Sequence, residues 1–306
     1  MATTQLLAKV GKDLVYPYFS RKKEGEWDNN FVFIQAADTQ FGLIDNWAGN
    51  PIETRNWDEE IKLTKQAINL VNKMSPRPKF FVVSGDLIDA MPRTMHRAAQ
   101  EEDFKKIFQG LDSEIPLICV CGNHDVGNSP TKESLESYRR HFGDDYFSFW
   151  VGGVLFIVLN SQLYADHINV PDEYEKQDKW IDTQLNIVRS KECKHCIVFQ
   201  HIPWFLQTAD EEDEYFNIKK EPRFRMLNKF REAGVKHIFC GHYHRNAGGL
   251  YGDLEVIVTS AIGCQLGEDK SGMRIVRVSE NKIEHKYYGL QECPTSLSLN
   301  VSVDLP

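Results

Sequence analysis

The most informative stretch of this chain is Gly122-Asn123-His124-Asp125, which closely follows an apolar run. Asparagine is a rare metal ligand, and a neighbouring histidine can carry a proton near neutral pH. Comparable polar clusters follow four other apolar runs, and these are Asp38-Thr39-Gln40, Gly85-Asp86-Leu87-Ile88-Asp89, Gln200-His201-Ile202-Pro203 and Gly241-His242-Tyr243-His244. Open α/β sheets bind ligands beyond the carboxyl ends of their strands, so the five clusters predict one shared site.

The side chains of these clusters have the chemistry of a metal site. They offer carboxylate oxygens, amide oxygens and imidazole nitrogens, but no thiolate. That set suits hard to borderline divalent ions such as Mn²⁺, Fe²⁺, Zn²⁺ or Mg²⁺. Two ions need a shared ligand, and a carboxylate such as Asp86 can bridge them. In an extended segment, His242 and His244 would point to one side.

Composition narrows the classes of function. The chain has 306 residues, of which 42% are hydrophobic, and a formal net charge of −8. It can bury a substantial core, whereas a general nucleic-acid or anionic-membrane binder would need a basic surface. No apolar run is long enough to span a membrane, and residues 1–10 carry no secretory signal. The odd number of cysteines, seven, favours reduced thiols and a cytoplasmic protein.

The apolar runs alternate with helical patterns in the first half of the chain. Strands are predicted at 31–34, 80–83 and 117–120, and helices at 57–74 and 97–108. This β-α-β-α-β order predicts a parallel sheet with right-handed crossovers.

The second half changes character. A hairpin around Gly152-Gly153 joins strands at 146–150 and 154–159. Further helices are predicted at 172–189 and 222–233, and further strands at 196–199, 237–240, 254–259, 273–278 and 282–288. No helix separates the last three strands, so we expect an antiparallel ending. The fold predicted is α/β, with two stacked mixed β-sheets flanked by helices. One domain is expected over 1–306, with a motif-bearing core at 31–260 and an antiparallel tail at 261–306.

In their order and spacing, the five clusters resemble the motifs of the calcineurin-like metallophosphoesterase superfamily. Those motifs are D-x-H, GD-x-x-D, GNH-[DE], [GQ]H-x-P and GH-x-H. The span from Asp38 to His244 covers two thirds of the chain, and the antiparallel tail is similar to the family's second sheet. The resemblance implies an α/β/β/α sandwich. It is closest to a group described as serine/threonine protein phosphatases.

The resemblance also implies a role for each matching residue. One metal would be held by Asp38, Gln40, Asp86 and His244, and the second by Asp86, Asn123, His201 and His242. A hydroxide shared by the two metals would attack phosphorus in line with the leaving oxygen. His124 would protonate the leaving alkoxide, and Asp125 would orient and support His124. The implied cofactors are therefore two divalent metal ions.

The chain departs from the family pattern in three places. Gln40 replaces the histidine of the first motif; it either binds a metal through its amide oxygen, which would favour Mn²⁺ or Mg²⁺ over Zn²⁺, or does not bind. Asp89 stands where purple acid phosphatases carry a tyrosinate ligand, so a tyrosinate–iron colour is not expected. Ala90-Met91 stands where the calcineurin and protein phosphatase 1 subfamily has Arg-Gly, which places the chain outside that subfamily.

Three functions compete. The first is a phosphomonoesterase acting on phosphoserine or phosphothreonine in proteins, with Arg245 and Asn246 as candidate substrate-binding residues. The second is a cyclic-nucleotide phosphodiesterase or nucleotidase, in which aromatic side chains would stack on a base; the candidates are Trp47, Trp204, Phe205 and Tyr243. The third is a metal-binding scaffold with little turnover, which Gln40 alone suggests. The acidic run at 210–214 is either a solvated loop or a lid that selects partners.

Overall fold

The computed structural model describes residues 19–299, and two β-sheets form its centre. Five strands form the first sheet in the spatial order β11-β10-β1-β2-β3. Their bounds are Phe31–Ala36 (β1), Phe81–Ser84 (β2), Leu117–Val120 (β3), Gly272–Val278 (β10) and Ile283–Gly289 (β11). β1, β2 and β3 are parallel as predicted, and β10 runs antiparallel to both β1 and β11.

The second sheet has six strands in the order β4-β5-β6-β7-β9-β8. Their bounds are Phe147–Val151 (β4), Val154–Val158 (β5), His195–Phe199 (β6), His237–Cys240 (β7), Ala247–Tyr251 (β8) and Leu254–Val258 (β9). The hairpin around Gly152-Gly153 is present. The prediction of a wholly antiparallel ending was wrong for β9, which lies parallel to β7. The reason is β8, an unpredicted strand that returns the chain and pairs antiparallel with β9.

Helices cover the outer faces of both sheets. Their bounds are Arg21–Glu24 (α1), Leu43–Trp47 (α2), Asp58–Val71 (α3), Arg97–Phe108 (α4), Asn123–Val126 (α5), Lys132–Phe142 (α6), Gln162–Ala165 (α7), Pro171–Arg189 (α8) and Lys220–Ala233 (α9). One helix that was not predicted is α6, a polar helix that buries Leu135, Tyr138 and Phe142 along one side. Its start does carry a signal, because Thr131 and Ser134 form a reciprocal capping box. No helix in residues 19–299 is long and apolar enough to cross a membrane.

Three apolar clusters account for the layers. Phenylalanines of both sheets interlock in the middle, where Phe33 and Phe80 stack at 4.7 Å and Phe156 meets both edge-on. A second cluster packs α3, α4 and α6 on the first sheet, and a third packs α8 and α9 on the second. The predicted α/β/β/α arrangement is thereby confirmed.

Some predictions concern residues outside the described range. Residues 1–10, for which no secretory signal was predicted, lie outside it. The last residues of the predicted tail, 300–306, also lie outside it. The expectation that the tail belongs to a second sheet was wrong, because its strands β10 and β11 extend the first sheet beside β1. The single-domain assignment of 1–306 stays a prediction.

Candidate two-metal centre

The five polar clusters lie at the carboxyl ends of five parallel strands. β1, β2 and β3 of the first sheet lead into Asp38, Asp86 and Asn123. β6 and β7 of the second sheet lead into His201 and His242. Because the two sheets are stacked, these ends meet at one edge of the sandwich, where the side chains are buried.

The backbone at this edge adopts an uncommon conformation. Of the eight non-glycine residues with positive φ in residues 19–299, five belong to the clusters, and these are Asp38, Gln40, Asp86, His242 and His244. Each such residue costs on the order of 1–3 kcal/mol, so the surrounding fold must impose the conformation. The expectation of an extended His242-Tyr243-His244 segment was therefore wrong. With φ values of 69° and 53°, its two histidines enter different ligand groups.

Two motif glycines permit the close approach of these segments. A Cβ at position 122 would lie 2.1 Å from Asp86 Oδ1. A Cβ at position 85 would lie 2.3 Å from His201 Nδ1, and Gly85 also has a φ of 88°. Any larger residue at either position would displace a predicted ligand.

Two overlapping ligand groups result. The first group consists of Asp38, Asp86 and His244, and the second consists of Asp86, His201 and His242. In each group the donor atoms lie within 4.8 Å of one another. Asp86 belongs to both, as a bridging carboxylate would. Asn123 adjoins the second group, with its Oδ1 3.1 Å from His201 Nε2.

Each histidine of the centre has one ring nitrogen against a main-chain carbonyl. The pairs are His201 Nδ1 with Ser84 O at 2.8 Å, His242 Nε2 with Tyr215 O at 3.1 Å, His124 Nδ1 with Asp89 O at 2.5 Å, and His244 Nδ1 with Cys264 O. A carbonyl accepts only from an N–H, so it fixes the tautomer and leaves the other nitrogen free, to ligate a metal in His201, His242 and His244. For His201 and His244 that nitrogen is Nε2, 3.2 Å from Asp86 Oδ2 and 3.3 Å from Asp38 Oδ1, respectively.

The side chain of Gln40 also fits a metal ligand. Its Oε1 is buried and has no hydrogen-bond partner in the protein, while its Nε2 lies 3.4 Å from Asp89 Oδ1. A buried acceptor without a partner is costly. A cation in the first ligand group would satisfy it, so the donor set of the protein matches two divalent ions.

Electrostatics at the centre reflect the burial of opposite charges. Burial opposes ionisation of Asp86, but the nearby His201 and His124 hold its pKa well below the usual range. Burial would lower the pKa of His201, yet Asp86 and Asp38 raise it to about 9. Burial, with His201 adding to it, lowers the pKa of His242 to about 3, which leaves that imidazole neutral and able to ligate a metal.

The comparison with known proteins agrees with this geometry. Residues 31–246 match the calcineurin-like phosphoesterase family. The chain belongs to this family. Its members use two divalent metal ions, as the two ligand groups would accommodate.

The similarity to individual relatives covers most of this chain. The human protein named Serine/threonine-protein phosphatase CPPED1 is 53% identical over 277 residues, covering 90% of this chain and 88% of that protein. The Danio rerio protein of the same name is 46% identical over 294 residues, covering 95% of each. A crystal structure described as a dimetal phosphatase from Danio rerio has a TM-score of 0.61 at 18% identity, covering 87% of this chain and 98% of that chain. The structural likeness shows the shared fold.

Asp125 has a different place in this phosphoesterase from the one expected. Its carboxylate accepts hydrogen bonds from the N–H of Gly122 at 2.7 Å and of Leu87 at 3.1 Å, and no hydrogen bond in the described residues joins it to the His124 imidazole. Burial and the neighbouring Asp86 raise the pKa of Asp125 to about 7. The side chain beside the imidazole is Asp89, with Oδ1 3.5 Å from His124 Nδ1. Asp125 therefore holds the turn, and Asp89 supports the histidine.

Arg97 is a residue of the site that no motif indicated. From α4 it donates to the carbonyls of His124 and Asp125, both at 2.7 Å, and its Nε bonds to Glu101 at 2.6 Å. These carbonyls belong to the four-residue helix α5, whose last C=O groups have no partner within the helix. Arg97 thus secures the segment that carries Asn123 and His124.

The two residues proposed to bind substrate are engaged elsewhere in the protein. Arg245 donates to Leu266 O, and its guanidinium lies 4.7 Å from the ring centre of Tyr243. The Oδ1 of Asn246 accepts from Arg274 at 2.9 Å. Neither has a hydrogen bond or ion pair with the ligand groups in the described residues.

The aromatic residues considered for base stacking divide by burial. Trp204 and Phe205 have no exposed surface and belong to the core of the second sheet. Tyr243 is covered by Arg245. Trp47 is 68% exposed, on α2. Two of the four are therefore core residues, which removes half of the candidates for a base-binding site.

The acidic segment after β6 leads into Tyr215, a site residue that no motif indicated. Its phenol oxygen lies 3.0 Å from Asn123 Nδ2, and its main-chain oxygen holds His242. The segment is well braced. Glu211 accepts from three main-chain N–H groups, and the buried Arg223 donates to the carbonyls of Ala209, Glu211 and Ile218. It is more than a solvated loop.

Proposed function

We propose that this chain is a metal-dependent phosphomonoesterase that removes phosphate from phosphoserine or phosphothreonine in proteins. The observation that carries the proposal is the pair of ligand groups sharing Asp86, with His124 at their edge. The names of the relatives that match nearly the whole chain support the substrate class.

The protein's residues have distinct tasks in this reaction. Asp38, Gln40, Asp86 and His244 would hold one ion, and Asp86, Asn123, His201 and His242 the other. When bound, such an ion pair supplies a nucleophile at neutral pH and neutralises charge on phosphoryl oxygens. The main-chain N–H of His124 donates to Asp86 Oδ1 at 2.9 Å, so the same turn that carries the proton donor also orients the bridging carboxylate.

His124 is suited to protonate the leaving alkoxide of serine or threonine. Asp89 O accepts from its Nδ1, which leaves Nε2 free to carry the transferred proton. The Asp89 carboxylate lies 3.5 Å from the same Nδ1, on the side of the ring away from Nε2. A poor leaving group such as serine needs this proton most.

The identity of the metals and the cellular location are part of the proposal. An amide oxygen at position 40 is harder than imidazole, which favours Mn²⁺ or Mg²⁺ over Zn²⁺ at the first position. All seven cysteines are unpaired by disulfides, as suits a reducing compartment. We therefore propose a cytoplasmic enzyme loaded with Mn²⁺.

The test is a metal add-back experiment. The protein is stripped with a chelator and reloaded separately with Mn²⁺, Mg²⁺ or Zn²⁺. Turnover is then measured with a phosphoserine peptide, an aryl monoester, an aryl diester and cyclic AMP. Faster monoester than diester hydrolysis, highest with Mn²⁺, is expected. Faster diester than monoester hydrolysis would favour a cyclic-nucleotide phosphodiesterase or nucleotidase. Tight metal binding without turnover would favour a metal-binding scaffold.

A further inference from the structure

A small polar recess opens beside the second ligand group. It has a volume of about 170 Å³. Its lining includes Asn123 and His242 of the candidate centre, together with Gln162, Tyr215 and Lys219. The recess is therefore next to two of the residues that would hold the second metal.

Lys219 is the sole lysine or arginine among the residues that line the recess. Its ammonium has no ion pair within residues 19–299, although its charge adds to the effect of Ser129 in lowering the pKa of Asp166. The other candidate cations are occupied. Arg93 pairs with Glu133, and Arg245 donates to Leu266 O. Lys219 is thus an available cation at the edge of the site.

Gln162, which also lines the recess, has an acceptor without a partner in the protein. The residue is 2% exposed, and its Oε1 has no hydrogen-bond partner in the protein. Its Nε2 donates to Asn128 O at 3.1 Å, which fixes the orientation of the amide and leaves the oxygen as the free end. A ligand that places an N–H there would satisfy a buried acceptor that is otherwise costly.

The wall that carries Lys219 is built in advance. Arg223 of α9 is fully buried and donates to Ile218 O at 2.8 Å and to Glu211 O at 2.7 Å. These bonds tie the segment before α9 to the helix. Asn217 adds bonds to Glu211 Oε1 at 2.8 Å and Glu212 O at 2.9 Å. The main chain next to Lys219 therefore needs little ordering when substrate binds, which favours affinity.

We infer that this recess is the substrate subsite, in which Lys219 binds an outer oxygen of the phosphoryl group and Gln162 Oε1 accepts an N–H of the phosphorylated peptide. The inference rests on the proposed phosphatase function and names its substrate contacts. The volume favours one amino-acid residue over a nucleoside, since pockets for drug-sized ligands are on the order of 300–1,000 Å³. The lining of the recess has four amide side chains, one cation and two carboxylates, Asp166 and Glu214, and Tyr215 is its one phenylalanine, tyrosine or tryptophan.

The first test measures binding of inorganic phosphate to the Mn²⁺-loaded protein by calorimetry. Lys219→Met should weaken phosphate binding roughly tenfold to a hundredfold, because a charge-assisted hydrogen bond is lost. Lys219→Arg should restore part of the affinity. Lys220→Met is the matched control, since Lys220 is the next residue but pairs with Glu212 and does not line the recess. Equal phosphate affinity in Lys219→Met and Lys220→Met would overturn the inference.

The second test separates the peptide contact from the phosphate contact. Gln162→Met should raise KM for a phosphoserine peptide several-fold and leave KM for an aryl phosphate unchanged, whereas Lys219→Met should raise both. An equal rise for both substrates in Gln162→Met would contradict the peptide contact. If that variant does not fold, the Lys219 pair still decides the phosphate contact. Lack of monoester turnover by wild type would sink the proposed function, whereas phosphate binding reports on the recess independently of turnover.

Discussion

The phenol oxygen of Tyr215 lies 3.0 Å from the amide nitrogen of Asn123, a residue 92 positions earlier in the chain. The same amide nitrogen also donates to Asn128 Oδ1 at 3.1 Å. With both hydrogens engaged, the amide must turn its oxygen toward His201 Nε2 and the second ligand group. An asparagine binds metal through oxygen, so Tyr215 and Asn128 select the ligating orientation.

Tyr215→Phe is expected to lower the affinity for the second metal roughly tenfold to a hundredfold. Loss of a supporting hydrogen bond to a ligand has effects of that size. The first metal should stay bound. Metal content per chain after dialysis at graded free Mn²⁺ measures both. Tyr251→Phe is the control, since its hydroxyl donates to Asn228 at 2.7 Å on the surface. Equal metal content in the two variants would remove Tyr215 from this role.

Gln40 offers a test of the first metal. Gln40→Met keeps the length of the side chain but removes Oε1, so the first metal should bind more weakly while the second is retained. Gln40→His should raise the affinity for the first metal, most for Zn²⁺, because imidazole is a stronger donor to that ion. Titration of the stripped protein with each metal measures the change. Unchanged affinity in both variants would show that the amide oxygen is not a ligand.

His124→Ala should keep both metals and lose a factor of roughly 10²–10⁴ in kcat. The loss should be largest for a phosphoserine peptide and smallest for an aryl ester with an acidic phenol, which leaves without a proton. Rates for a series of aryl esters, plotted against the pKa of the leaving phenol, measure this dependence. If the variant lost its metals instead, His124 would have a structural role.

Asp125→Ala should act on stability rather than on proton transfer. It removes the acceptor for the N–H groups of Gly122 and Leu87, so those buried donors lose their partner. The expected cost is about 2–4 kcal/mol in the free energy of unfolding, by the usual penalty for buried unpaired groups. Urea denaturation measures it. If Asp125→Ala unfolded at the same urea concentration as wild type but lost as much kcat as His124→Ala, the pairing of Asp125 with His124 expected from the sequence would be supported instead.

His237 should make the protein less stable in mild acid. Burial lowers the pKa of His237 to about 4 from 6.5, so the folded state binds this proton less readily than the unfolded state. Its contribution to stability is present above pH 6.5 and is lost as pH falls toward 4, by up to roughly 3 kcal/mol. The difference in unfolding free energy between wild type and His237→Gln, followed from pH 8 to pH 4, isolates it. A difference that does not change with pH would rule out the linkage.

The candidate ligands could be predicted from the sequence because each lies within a few residues of the end of a strand. A run such as Phe81–Ser84, rich in β-branched and aromatic residues, predicts a buried strand, and Asp86 then lies beyond its carboxyl end. The carboxyl ends of neighbouring parallel strands lie at the same edge of a sheet, so residues that follow different strands come together in one site. The short strand β8 and the polar helix α6 escaped detection, because Ala247–Tyr251 has two glycines and Lys132–Phe142 few apolar residues.

The supporting contacts could not be derived in the same way. Tyr215 and Arg97 reach the site from loops and helices with no fixed distance in sequence from the ligands they hold. The carbonyls of Ser84 and Cys264 fix histidine tautomers, yet a main-chain carbonyl has no side-chain identity to recognise. Sequence adjacency also misled the assignment of Asp125, whose carboxylate turns back to its own helix N-terminus.

The sequence by itself determined which donors this protein has, the strands that carry them and the family to which they belong. Only the tertiary structure decided how each donor is aimed. It places Asp89 beside His124, leaves Gln40 Oε1 without a protein partner and turns the Asn123 amide with Tyr215. The physical reason is that residue type sets which atoms can bind a metal or carry a proton. Hydrogen bonds from distant segments set their direction, and those segments meet only when the two sheets pack together.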